Sequence, residues 1–260
     1  MKMSNNYFSI CLITKDSNYY IKEWLDYHIN LGVQHFFIYD DYSKVPLKEL
    51  LQPYIDNGLV TYEPITFKKF QQQQLIIYMK CLRDHNKDSY WIAFIDDDEF
   101  LIPKDKPLLE FMKEFESYGG LVVNTVLFGS SGHKTIQSSI LNSFLHRNAY
   151  NDKTNQHIKS IVNTQYVDCN KGIRTSHYFY YKNGAYAVDE NKKKCRPFHL
   201  NFFTNKRIQL NHYFLKSEED FQNKINRGLC APCNKRQMKI FYDIDKNCNI
   251  YDDEILQYIK

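Results

Sequence analysis

Over the first hundred residues, short apolar runs rich in β-formers alternate with stretches of helical period, and this alternation constrains the fold more than any other feature of the chain. Residues 7–13, 35–39, 59–62 and 90–95 read as strands bounded by polar or turn-forming residues. Between the first two, Ser17 is placed to cap a helix with Ile21, Trp24, Leu25, His28 and Leu31 on one face and Gly32 as its stop. Pro46 opens a second helix through Leu47, Leu50, Leu51 and Tyr54, ended by Gly58. Leu75, Tyr78, Met79 and Leu82 mark a third over residues 71–86. Such alternation predicts an α/β fold with a single, mostly parallel sheet flanked by helices. Ligands bind such sheets at the carboxyl ends of the strands. Acids fall there: Asp16 after the first strand, Asp40 and Asp41 after the second, and Asp96, Asp97 and Asp98 after the fourth.

The chain has 260 residues, enough for one large domain with a full core. We divide it into a first half, 1–105, and a second half, 106–260, that includes a C-terminal extension. With 43% hydrophobic and 25% charged residues it is neither disordered nor collagen-like. A net charge of +4 is too balanced to imply a nucleic-acid partner. The one dense basic run, Lys192 to Lys194 with Arg196, reads as a solvated loop. No apolar run approaches the roughly 18 residues of a membrane helix, and the start of the chain shows no signal-peptide cleavage site. Of seven cysteines, Cys11 and Cys81 sit in apolar stretches and read as core. Cys230 and Cys233 form a lone CxxC, compatible with free thiols, a disulfide or a weak metal site. The absence of any Asn-x-Ser/Thr sequon favours a cytosolic setting.

The second half is less regular. It predicts a helix over 107–115, a strand over 121–128, strands within 175–181 and 208–213, and a helix over 217–226. Residues 146–157 and 182–197 read as loops.

The sharpest local feature is residues 96–99, Asp-Asp-Asp-Glu, delivered by a buried strand. Adjacent ionised carboxylates repel, so the turn calls for a cation or raised pKa values. Hard oxygen ligands suit Mg²⁺ or Mn²⁺, and such an ion stabilises a departing diphosphate as a Lewis acid. The alternative is a solvated acidic turn.

In this context Asp96 to Asp98 resembles the DxD element of nucleotide-sugar glycosyltransferases of the GT-A type. The surrounding words resemble glycosyltransferase family 92: residues 23–28, Gly32-Val33, 37–40 with Ser43, Gln74, Tyr78, 81–82, 94–100 with Pro103, 128–129, 159–162, His177, 210–213, Lys216-Ser217, Glu219, Phe221, Lys224 and Arg227-Gly228. The resemblance implies a GT-A domain that takes a UDP-sugar with Mn²⁺ or Mg²⁺. It implies transfer of galactose or a related hexose, with inversion, to a glycan or glycoprotein. It also implies that Asp96, Asp98 and His212 are the metal ligands, with Asp98 the direct one. Thr14, Lys15, Asp16, Asp40, Gln74, Asp96, Asp97 and Lys159 are expected to line the nucleotide-sugar pocket.

An inverting transfer needs a general base. No Asp or Glu occurs between Gly119 and Tyr150, so the candidates are Glu218, Glu219 and Asp220, with His177 and His133 behind them. Glu219 is the expected catalytic residue beside Asp98, although residues 217–220 also read as a helix cap. Aromatic residues make up 16% of the chain. Those at 178–181, with Tyr186, Phe198, Phe202 and Phe203, are expected to offer a surface for the acceptor sugar. Animal members of the family carry an amino-terminal anchor; its absence here suggests a cytoplasmic, bacterial or viral setting. The rival readings are a nucleotidyltransferase, which lacks support because residues 12–17 hold no glycine-rich loop, and a non-catalytic carbohydrate-binding protein.

Overall fold

The computed structural model describes residues 5–67, 72–171, 173–195, 203–228 and 237–259. In chain order the elements of the first half are β1 (Asn6–Thr14), α1 (Ile21–Asn30), β2 (His35–Asp40), α2 (Lys48–Asp56), β3 (Val60–Pro64), α3 (Gln73–His85), β4 (Ser89–Phe94) and β5 (Glu99–Pro103). The second half adds α4 (Leu108–Lys113), β6 (Gly120–Leu127), α5 (Ile140–Ser143), β7 (His146–Arg147), β8 (Ile158–Asn163), β9 (Ile173–Thr175), β10 (Tyr178–Phe179) and β11 (Ala187–Val188). It closes with β12 (Ile208–His212), α6 (Glu218–Arg227), α7 (Met238–Asp245) and β13 (Ile250–Tyr251).

The main sheet runs β3-β2-β1-β4-β8-β6-β12-β5, with β11 pairing β6. β3, β2, β1 and β4 are parallel. β8 lies antiparallel between β4 and β6, and β12 is parallel to β6 but antiparallel to β5. The expected α/β class with a mostly parallel sheet is the one observed. Side chains alternate across it with the strand period of two. Phe8, Ile10, Leu12, Trp91 and Ala93 join the larger core with α1, α2 and α4. Cys11, Phe37, Ile92 and Phe94 face a second core built with α3.

This topology gathers the site. The carboxyl ends of β1, β2, β4, β6 and β12 lie at one edge of the sheet. The amino ends of the antiparallel strands β5 and β8 arrive at that edge too. Glu99, the first residue of β5, is therefore paired with His212, the last of β12. The outer strand β5 is held by α1: Trp24 Nε1 donates to the Glu99 carbonyl at 2.8 Å and the Tyr27 hydroxyl to the Leu101 carbonyl at 2.6 Å. Burial drives the His28 pKa down to about 3, so its neutral ring accepts from the Leu101 amide. Three side chains on one turn of α1 thus satisfy an edge that would otherwise present bare backbone groups.

Several sequence expectations change. β5 and β8 are strands that the sequence pattern does not predict. β8 is buried along its whole length although Lys159, Ser160 and Asn163 are polar, because those groups are paired inside the protein. The strand expected within 175–181 is two short strands, β9 and β10, forming a hairpin. The loop over 182–197 contains β11, and α7 follows the predicted elements, packing Phe241 on Phe221 of α6 at 5.4 Å between ring centroids. Cys11 and Cys81 are buried free thiols, as expected. Cys230, Cys233, Arg196, Phe198 and Phe202 lie outside the described residues. Tyr178 and Phe179 are buried, and Phe203 stacks on Tyr150, so these rings build the core rather than an open sugar platform. No helix among the described residues is long and apolar enough to cross a membrane.

Tyr181 packs against Gly119 and Gly120 at the start of β6. A Cβ on Gly120 would collide with the Tyr181 hydroxyl and come within 2.9 Å of the Ile161 carbonyl. The carbonyl belongs to the paired strand β8 and cannot retreat. Gly120→Ala is expected to lower stability by about 1–3 kcal/mol, read as a fall in the urea midpoint with the slope unchanged.

Candidate active site

The turn after β4 is an electrostatic problem solved on two sides. On one side, Lys159 Nζ lies 2.6 Å from Asp96 Oδ2 and 3.0 Å from Glu99 Oε2. The Asp96 amide donates to Glu99 Oε2 at 2.9 Å, closing the turn. Gln74 Nε2 reaches Tyr78 Oη at 2.9 Å and Asp96 Oδ1 at 3.4 Å, so α3 supports the turn from the same side. Burial alone would strip the Lys159 proton, but Asp96 and Glu99 outweigh it and push its pKa well above the usual lysine value. Glu99 is shifted up by burial against the pull of Lys159.

On the other side stands Asp98, only 4% exposed. Its Oδ2 is 2.7 Å from Lys224 Nζ and 3.8 Å from Lys216 Nζ, and its Oδ1 is 3.4 Å from His212 Nε2. Burial raises its pKa, but Lys224, Lys216 and His212 together hold the carboxyl well below the usual range. Asp97 accepts the Thr14 hydroxyl at 2.5 Å, which ties the turn to the end of β1.

A cavity of about 360 Å³ opens beside Asp98, within the size range of small-molecule sites. Asp16, Asp97, Asp98 and Asp220 line it together with Lys44, Lys216, Lys224 and Arg227, so its lining mixes both charges. Tyr19, 75% exposed, stands among its lining residues. The Asp16 amide donates to Ser43 Oγ at 2.8 Å and its carboxylate accepts the Lys44 amide at 2.7 Å, joining the loops after β1 and β2. Arg227 donates to the Lys15 carbonyl and thereby ties α6 to the β1 loop.

The expected site residues therefore separate. Asp16, Asp97 and Asp98 border the cavity; Asp96, Gln74 and Lys159 brace the turn from behind it. Asp40 is a loop clamp: its carboxylate accepts the amides of Ser43 and Leu47 and the Tyr62 hydroxyl. Glu219 is exposed and outside the cavity lining, and its carboxylate accepts the Ile136 amide at 3.0 Å. Asp220 borders the cavity, but it completes a capping box with Ser217 and accepts the Tyr20 hydroxyl at 3.1 Å. The cap reading of 217–220 is the one the structure shows.

Among the described residues, no three His, Cys, Asp or Glu side chains are grouped to hold a metal ion. Of the three expected ligands, Asp98 and His212 face one another, while Asp96 is turned to Lys159. One carboxylate with one imidazole suits a transition-metal ion such as Mn²⁺ better than Mg²⁺, which prefers oxygen ligands, and water and phosphate oxygens would complete the shell.

Sequence reasoning gave no role to Lys216, Lys224 or Glu99. The signal was present for the lysine on α6: Asp220, Lys224 and Arg227 are spaced four and three apart, which places them on one helix face.

Comparison with known proteins supplies the family. The model of glycosyltransferase family 92 matches residues 6–232, and the chain belongs to that family. A family 92 protein of Oryza sativa subsp. japonica is 24% identical over 222 residues, covering 84% of this chain and 35% of that protein. One of Ricinus communis is 24% identical over 229 residues, covering 85% of this chain and 38% of its own length. The chain thus spans little more than a third of these relatives. A galactan beta-1,4-galactosyltransferase of Arabidopsis thaliana is 27% identical over 118 residues, 42% of this chain and 23% of that one. Among solved structures, S. aureus TarS in complex with UDP is similar at a TM-score of 0.41 and 17% identity, over 61% of this chain and 47% of that one.

Asp98 also sets a pH dependence. Its folded pKa lies below the ordinary aspartate value of 3.8, so the ion pairs contribute fully above about pH 4 and are lost as pH falls through the folded value. The stability deficit of Asp98→Asn, measured by urea unfolding, is expected to be largest near pH 7 and to shrink as the pH drops below about 4.

Proposed function

We propose that this chain transfers a hexose, galactose or a close relative, from a UDP-sugar to a hydroxyl of a glycan or glycoprotein, with inversion and with the help of Mn²⁺ or Mg²⁺. The observation that supports this most is the Asp98–His212 pair at the carboxyl edge of the sheet, with Asp98 lining a cavity that carries both acidic and basic side chains. Family membership supports glycosyl transfer, and the relatives named as galactan galactosyltransferases favour galactose.

In this reading Asp98 and His212 hold the ion, which supplies Lewis-acid stabilisation of the departing diphosphate. Asp16 and Asp97 line the donor pocket, with Thr14 fixing Asp97 and the Lys15 carbonyl fixing Arg227. Lys159, Asp96 and Gln74 act as positioning residues: they keep the turn folded so that Asp98 faces the cavity. Asp40 holds the neighbouring loop through Ser43 and Leu47. The base is not Glu219 in this reading, because its carboxylate faces the 134–136 loop.

The test is transfer and hydrolysis of UDP-galactose, UDP-glucose and UDP-N-acetylglucosamine with Mn²⁺, against Asp98→Ala. Loss of about 10²-fold or more in the variant is expected, the scale seen when one electrostatic stabiliser of a transition state is removed. Equal turnover by wild type and variant contradicts the assignment.

A further inference from the structure

Asp98 is a single carboxylate, yet two ammonium groups are directed at it. Lys224 Nζ is 2.7 Å from Oδ2 and also donates to the Phe214 carbonyl at 3.0 Å; Lys216 Nζ stands 3.8 Å from the same oxygen. Both side chains are largely withdrawn from water, at 14% exposure for Lys216 and 12% for Lys224. A lone buried carboxylate needs one such partner. The second ammonium, Lys216, also lies over the Tyr20 ring at 5.5 Å, and the two lysines together carry more positive charge than Asp98 alone balances.

Backbone geometry points to the same place. Lys216 has a positive φ of 54°, and Asp16, which lines the same cavity, one of 53°. A non-glycine residue in this region costs about 1–3 kcal/mol and persists where the surroundings enforce it, often at ligand sites. Here the capping box that starts at Ser217 fixes the residue before it, aiming Lys216 at Asp98. Two strained residues thus border one cavity.

We infer that Lys216 and Lys224 are the diphosphate-binding groups of this cavity, resting on Asp98 in the ligand-free chain and turning to phosphate oxygens when a nucleoside diphosphate enters. The inference deepens the donor reading above and rests on it. Lysine suits this role because it is a point charge on a flexible stem, with three donors that can be re-aimed without moving the backbone. A diphosphate presents several anionic oxygens, and charge-assisted hydrogen bonds to it replace those to Asp98. Exchange also frees the Asp98 oxygens, which with His212 would hold the proposed ion. Nucleotide and divalent ion should therefore bind together, each more weakly alone.

The experiment is calorimetric titration of the full chain with UDP, UMP and uridine, in excess Mn²⁺ and separately in EDTA. The proteins are wild type, Lys216→Met, Lys224→Met and the two Lys→Arg variants. Wild type is expected to prefer UDP to uridine by tenfold or more in Mn²⁺ and to lose part of that preference in EDTA. Each Met variant should lose most of the preference while uridine affinity changes less than about threefold; a tenfold loss is about 1.4 kcal/mol. The Arg variants, which keep the charge and the partner of Asp98, should retain it and guard against misfolding as the cause. A preference for UDP that survives both Met substitutions overturns the lysine assignment and leaves the donor reading standing. A wild type that binds none of the three ligands overturns both.

Discussion

Four consecutive carboxylates cannot share one turn in a low-dielectric setting unless each is given a cation or a donor, and the site follows from how this chain meets that condition. Lys159, drawn in from the antiparallel strand β8, neutralises Asp96 and Glu99 together. Thr14 engages Asp97 from the end of β1. Asp98 alone is compensated from the far side, by lysines of the 216–224 segment and by His212 of β12. The turn is thus a partition: its inner face is closed by Lys159 and its outer face is open to the cavity.

That division depends on sheet topology. Only because β5 and β8 run against their neighbours do Glu99 and Lys159 reach the edge where β4 and β12 end. In an all-parallel sheet the same edge would receive only carboxyl ends, and Lys159 would have no such place. α1 contributes at a distance, since Trp24, Tyr27 and His28 hold β5 and hence the register of Glu99 against His212.

The strand-helix alternation of the first half was legible because its periods are strong: apolar strands of β-formers, helices with one buried face, and glycines at the stops. The acidic turn stood out in the sequence because its placement at a strand end is a topological consequence. Lys159 was named as a pocket residue, but its part in the turn was not legible, since β8 was not legible as a strand and a lone lysine reads as solvent-facing until its partners are known. Asp40 and Glu219 misled for the opposite reason. Their types suit ligand binding and catalysis, yet nearby amides claim their oxygens, and such local bonds carry no pattern in the sequence. The 178–181 aromatics were assigned to an acceptor surface from composition, but β9, β10 and the approach of Tyr181 to Gly119 and Gly120 draw this segment into the core.

The donor nucleotide is proposed to occupy the space between Asp98 and α6. A crystal structure of the chain grown with UDP and Mn²⁺ tests this most directly. The expected result is diphosphate density between Asp98 and the Lys216 and Lys224 side chains, with an anomalous manganese peak beside Asp98 and His212. Nucleotide density on another face of the sheet, with this cavity filled by water, would contradict it.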